Sequence, residues 1–131
     1  MLLVDTNIII DYWKNPSTEM DAVFKWQKCC ICGVVVAELV RGAVSAKDVD
    51  RIKQALSGFK WLHLEESDWE SVGELLYRLR IKGISVPFTD AIISFLSIKY
   101  STPVWTRDRH FQMIQEAYPG LEIFAFPNTD I

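Results

Sequence analysis

Short, largely apolar runs alternate along this chain with longer segments in which apolar residues recur every three or four positions. The short runs are Leu2–Val4, Cys30–Cys32, Trp61–Leu64, Pro103–Trp105 and Glu122–Phe124. Runs this short, with little polar alternation, read as strands covered on both faces. Parallel strands cannot be joined by tight hairpins and need crossovers, which helices usually supply. The segments between the runs have helical spacing: Ile8–Lys14, Glu19–Lys28, Val35–Gly42, Lys47–Ser57, Ser67–Lys82, Asp90–Tyr100 and Arg109–Tyr118. The predicted class is therefore α/β, a three-layer domain with a parallel sheet flanked by helices.

Local signals support these elements. Asp5-Thr6-Asn7 is a helix start, Asn15-Pro16-Ser17 a break, and Gly33 a turn into the third helix. Ser67 is placed to cap a long helix with Val72, Leu75, Leu76 and Leu79 along one face. The Asp90–Tyr100 segment is apolar almost all round, which predicts deep packing.

At 131 residues, with no repeat or linker, the whole span 1–131 is expected to form one domain with a core of its own. Cys29, Cys30 and Cys32 share one apolar stretch where neighbouring thiols cannot easily bridge, so reduced core thiols are expected. His63 and His110 do not form a ligand-spaced pair that would suit zinc. No apolar run is long enough for a bilayer, and Met1-Leu2-Leu3-Val4 follows no basic flank, so a cytoplasmic location is expected. Seventeen acidic against fourteen basic residues give a net charge of −3. That argues against binding nucleic acid by diffuse phosphate neutralisation, but not against a nuclease whose acids hold cations.

In open parallel sheets, ligands sit outside the carboxyl ends of the strands. Asp5 directly follows the first strand, and Asp108 comes three residues after Trp105. Glu38 lies about one turn into the helix after the second strand, and Asp90 opens the apolar helix leading to Pro103–Trp105. Taken singly, Asp5 and Asp90 could be helix caps and Asp108 a solvated loop acid. Glu38 is the only charge in Gly33–Val40, where a buried carboxylate is costly unless paired or metal-bound. Crowded carboxylates raise one another's pKa values, and a divalent cation resolves that conflict. An all-oxygen set suits Mg²⁺ or Mn²⁺, and such ions typically serve phosphodiester hydrolysis.

Four segments together resemble the motifs of the PIN-domain nucleases, in order and over nearly the whole chain. They are Val4-Asp5-Thr6-Asn7, Ala37-Glu38-Leu39-Val40-Arg41-Gly42, Thr89-Asp90-Ala91-Ile92-Ile93 and Trp105-Thr106-Arg107-Asp108-Arg109-His110-Phe111. The compact length and the Thr-Arg-Asp element are similar to the VapC-type toxins of bacterial toxin–antitoxin pairs. The resemblance implies that Asp5, Glu38, Asp90 and Asp108 are the catalytic, metal-binding acids, with Thr106 and Asn7 in support. It implies Mg²⁺-dependent endonucleolytic cleavage of RNA, a small antitoxin as partner, a homodimer, and a sheet order of 3-2-1-4-5.

Two departures matter. His110 stands where many relatives carry a further acid, which favours one metal over two, and Val36 where relatives often have a hydroxyl. Arg41, Arg107, Arg109 and His110 are the candidate contacts to RNA phosphates. Arg41 also fits an ordinary surface pair with Glu38, and His110 a plain loop histidine. Tyr12, Trp13 and Trp26 are core candidates, of which an exposed subset could receive an antitoxin helix. His63 reads as structural. A receiver-like phosphorylation module is disfavoured: one acid follows the first strand, and Phe126-Pro127-Asn128 offers no lysine. A PIN-like module used only for binding typically loses one or more of the acids, and all four are present here.

Overall fold

The computed structural model describes residues 1–126. Pro127 and Asn128, where a receiver-like lysine was sought, lie outside the described residues. The elements run β1 (Leu2–Val4), α1 (Thr6–Lys14), α2 (Thr18–Trp26), β2 (Cys29–Cys32), α3 (Gly33–Arg41) and α4 (Ala46–Leu56). There follow β3 (Lys60–Leu62), α5 (Asp68–Ile81), α6 (Phe88–Lys99), β4 (Val104–Trp105) and α7 (His110–Ala117).

All strand pairings are parallel and the order is β3-β2-β1-β4, flanked by helices. Leu3 stands opposite both Cys30 and Val104, so β1 is central and covered on every side. Its three residues are fully buried, as the unbroken apolar run requires. The expected fifth strand is reduced to one parallel bridge, Val104 to Ile123, on the outer side of β4. It fills the fifth place of the 3-2-1-4-5 order without becoming a strand. The cause is local. Phe124 N–H still bonds Val104 at 2.8 Å, but Phe126 N–H then bonds back to Phe124 O at 3.1 Å, and this tight turn carries the chain off the ladder. Phe124 and Phe126 both close on the ring of Trp105 instead.

Several boundaries shift for physical reasons. Pro87 fixes φ at −58° and lets α6 begin at Phe88, so Asp90 lies in the first turn and does not open the helix. Ser67 sits at the N-cap of α5 but its hydroxyl caps nothing. Asp68 takes over that corner by accepting the Glu65 N–H at 2.9 Å. The predicted depth of α6 is observed: Ala91, Ile92, Ile93 and Leu96 are buried, and so are Ser94 and Ser97. Large core side chains include Trp105, Phe111, Leu3 and Ile93, each burial of this kind contributing roughly 1.5–3 kcal/mol. The cysteines are free thiols, and burial pushes each up to about 11, far from a reactive thiolate. No helix of the described residues is long and apolar enough to cross a membrane.

Candidate active site

Because every strand is parallel, the ends of β1 and β4 open at the same edge of the sheet, and they are hydrogen-bonded neighbours. The Asp5 N–H bonds the Trp105 carbonyl at 2.9 Å, which sets Asp5 beside Thr106 although a hundred residues separate them. Asp5 does cap α1, through Oδ1 and the Thr6 N–H at 2.8 Å. Its other oxygen accepts the Thr106 hydroxyl at 2.7 Å and the Asn7 amide at 3.3 Å. The Thr106 hydroxyl in turn accepts the Asp108 N–H at 2.9 Å, so one side chain positions two acids. Asn7 also accepts the Arg107 N–H at 3.2 Å and ties the first motif to the last.

Glu38 is half-buried on α3 and its Oε1 accepts the Thr6 hydroxyl at 2.9 Å. Sequence reasoning gave Thr6 no part in the site. Its one signal was its place between Asp5 and Asn7 in the first motif. The same bond overrides the Glu38–Arg41 surface pair that their spacing allows. Arg41 is exposed and makes no ion pair among the described residues.

Asp90 comes in from the first turn of α6 and is almost wholly buried. Burial first, then the charges of Asp108 and Asp5, push its carboxyl up to about 7. Burial also raises Asp5, against the lowering effect of its bonds from Thr106 and Thr6, and Glu38 and Asp108 add to the rise. Asp108 goes the other way. Burial opposes its ionisation, but the His110 N–H at 2.9 Å and the adjacent imidazole hold it below the ordinary carboxylate range. Asp5, Asp90 and Asp108 thus form one electrostatic group, to which Glu38 is joined through Asp5 and Thr6. Like charges this close are accommodated by protons or by a cation.

The tightest set of potential ligand atoms belongs to Asp90, Asp108 and His110, all within 4.8 Å of one another. His110 Nδ1 is 2.8 Å from Asp108 Oδ1 and 3.3 Å from Asp90 Oδ2. Neither approach has hydrogen-bond alignment, so Nδ1 and Asp90 Oδ2 are buried without a bonded partner among the described residues. Arg107 is engaged by Asp11 of α1 at 2.9 Å. Arg109 is exposed at the start of α7 without an ion pair among the described residues. Beside Thr106 and Arg107 a cleft of about 760 Å³ opens, with Asp11 and Gln112 on its walls.

Fold and site together define an α/β protein with a buried acidic centre at the carboxyl edge of a parallel sheet. The chain belongs to the PIN domain family, whose model matches residues 2–117. Among its relatives is a protein of Methanocaldococcus jannaschii named ribonuclease VapC1, 24% identical over 124 residues, covering 94% of this chain and 86% of that protein. A chain of the DNA-bound VapBC structure from Salmonella typhimurium superposes with a TM-score of 0.81 at 23% identity, over 96% of this chain and 98% of that one. A VapBC-1 structure from nontypeable Haemophilus influenzae gives 0.79 at 19% identity, over 95% and 97%. At these identities the solved structures establish the shared fold.

Proposed function

We propose that the chain is a divalent-metal-dependent endoribonuclease, a single PIN domain acting as the toxin of a toxin–antitoxin pair. The observation that carries this reading is the crowding of Asp5, Asp90 and Asp108 around a buried, unpartnered Asp90 oxygen, with Glu38 alongside. An orphaned buried oxygen amid acids fits a cation better than a structural role, and the oxygen-rich donor set suits Mg²⁺ or Mn²⁺. When bound, such an ion supplies an activated water and neutralises phosphoryl charge. Asp5, Asp90, Asp108 and Glu38 are the residues that would hold it.

The protein's own groups perform the positioning. Thr106 fixes Asp5 and Asp108 together, and Asn7 and Thr6 orient Asp5 and Glu38. Arg109 and Arg41 are exposed and make no ion pair among the described residues, so they are the arginines best placed to meet RNA phosphates. Arg107 must first exchange Asp11 for phosphate. With both of its bonds gone, Thr106→Val is expected to reduce cleavage by about 10- to 100-fold, the usual cost of losing a group that orients ligands. Thr106→Ser keeps the hydroxyl and should stay within about threefold of wild type in an initial-rate assay.

The antitoxin belongs to the same reading, supported by the VapBC complexes among the structural relatives. Its docking site in this proposal is a groove of about 380 Å³ lined by Ile9, Tyr12, Trp13, Phe24 and Phe59. Trp13 is half-exposed there, whereas Tyr12 stacks on Phe24 at 4.6 Å. Assembly as a homodimer and a cytoplasmic location complete the proposal. Expression without a partner should arrest growth and create new RNA 5′ ends, and Asp5→Ala should relieve both. Arrest that persists in Asp5→Ala contradicts the proposal.

A further inference from the structure

His110 is the one member of the acidic centre that hydrolysis by carboxylate-held metal does not call for, and its placement is specific. It is the first residue of α7, and its backbone N–H is bonded to Asp108 Oδ1. That bond anchors the backbone beside Asp108, and the ring turns Nδ1 toward the acids. Nδ1 then lies 2.8 Å from one carboxylate oxygen and 3.3 Å from another without aligning a hydrogen bond to either. Those separations have a simple interpretation. Two cis ligand atoms on a six-coordinate ion with bonds of about 2.1 Å stand about 3.0 Å apart. Both separations from Nδ1 are close to that value, and the three donor atoms, two of them buried and without a hydrogen-bond partner among the described residues, lie within 4.8 Å of one another, as one face of a coordination shell requires.

We infer that His110 is a metal ligand through Nδ1, giving this site a nitrogen-containing donor face, Asp90–Asp108–His110, that prefers Mn²⁺ to Mg²⁺. The inference rests on the metal-nuclease proposal and deepens it. A neutral imidazole at this position leaves the centre one negative charge poorer than a third carboxylate would. Mg²⁺ depends on hard oxygen donors and charge, whereas first-row transition ions gain from an imidazole nitrogen. With Nδ1 committed to the ion, Nε2 is the ring atom left for an RNA phosphate.

The test is Mn²⁺ titration of the purified full-length chain, read by electron paramagnetic resonance and by spin-echo modulation from nitrogen bound to Mn²⁺. The sequence has two histidines, so the nitrogen signal can be assigned. Wild type and His63→Gln should both show bound Mn²⁺ with imidazole modulation. His110→Asp should keep Mn²⁺ but lose the modulation, and its Mn²⁺-over-Mg²⁺ affinity ratio should fall about tenfold, the lower end of what altering a metal site's surroundings costs. Bound Mn²⁺ without nitrogen modulation in wild type, or modulation surviving in His110→Asp, overturns the role of His110 and leaves the metal centre standing. No bound Mn²⁺ in wild type, or equal binding by Asp90→Asn, overturns the metal centre and the inference with it.

Discussion

Replacing Asp90 by asparagine is expected to stabilise the metal-free protein at pH 8 while reducing RNA cleavage at least 10³-fold. The two effects share a cause. The Asp90 carboxyl is raised to about 7 by burial and by the charges of Asp108 and Asp5. A group whose folded pKa lies above its unfolded value of 3.8 costs stability once the pH exceeds both values. The penalty is absent below about pH 4, grows between pH 4 and 7, and is complete at pH 8. Asparagine removes it, a gain of up to about 4 kcal/mol, or on the order of 10 °C in Tm for a domain of this size. The advantage of the variant should therefore shrink as the pH is lowered from 8 to 5. Added Mg²⁺ or Mn²⁺ should raise the Tm of wild type and leave the variant unmoved, because the cation and the substitution relieve the same repulsion. Thermal melts at pH 5 and 8, with and without metal, check each arm.

The second large effect is expected in the core directly beneath the site, where the Trp105 carbonyl holds the Asp5 N–H. Trp105→Ala should destabilise the domain by about 3–5 kcal/mol, measured by urea unfolding of the metal-free protein. Trp105 is 1% exposed and meets Phe24, Phe124 and Phe126 at ring separations of 5.0, 5.7 and 5.4 Å. Its loss leaves a cavity next to Thr106 and removes the ring on which Phe124 and Phe126 pack. Against a total stability of about 5–15 kcal/mol for a typical domain, the variant should be marginal at 37 °C. Trp105→Phe should recover most of the loss, since the indole Nε1 makes no hydrogen bond among the described residues.

The order of strands and helices was legible because buried parallel strands leave no choice but short apolar runs, and Leu2–Val4 is the clearest of them. The fifth strand was not, since pairing fails through a turn at Ala125 that apolar content does not encode. Asp5 and Asp108 could be picked out because they follow strands that end at one edge of the sheet, Asp90 because it lies near the start of an apolar helix, and Glu38 because it is the only charge in Gly33–Val40. What sequence spacing could not supply was direction. Glu38 and Arg41 have the right interval to pair, but Thr6 reaches Glu38 from another helix. His110 follows Asp108 by two residues, and only the start of α7 shows that its Nδ1 turns in toward the acids. Trp26 was read with the core aromatics, yet it is 78% exposed, with Lys25 over its ring at 5.5 Å.

The central claim is that these acids cleave RNA through a divalent ion. Its most direct test is incubation of purified protein with a single-stranded RNA pool in Mg²⁺, in Mn²⁺ and in excess EDTA, with Asp5→Asn in parallel. Cleavage in both metals, none in EDTA, restoration when metal is returned, and none from Asp5→Asn are the predicted results. Undiminished cleavage in EDTA or by Asp5→Asn contradicts the account.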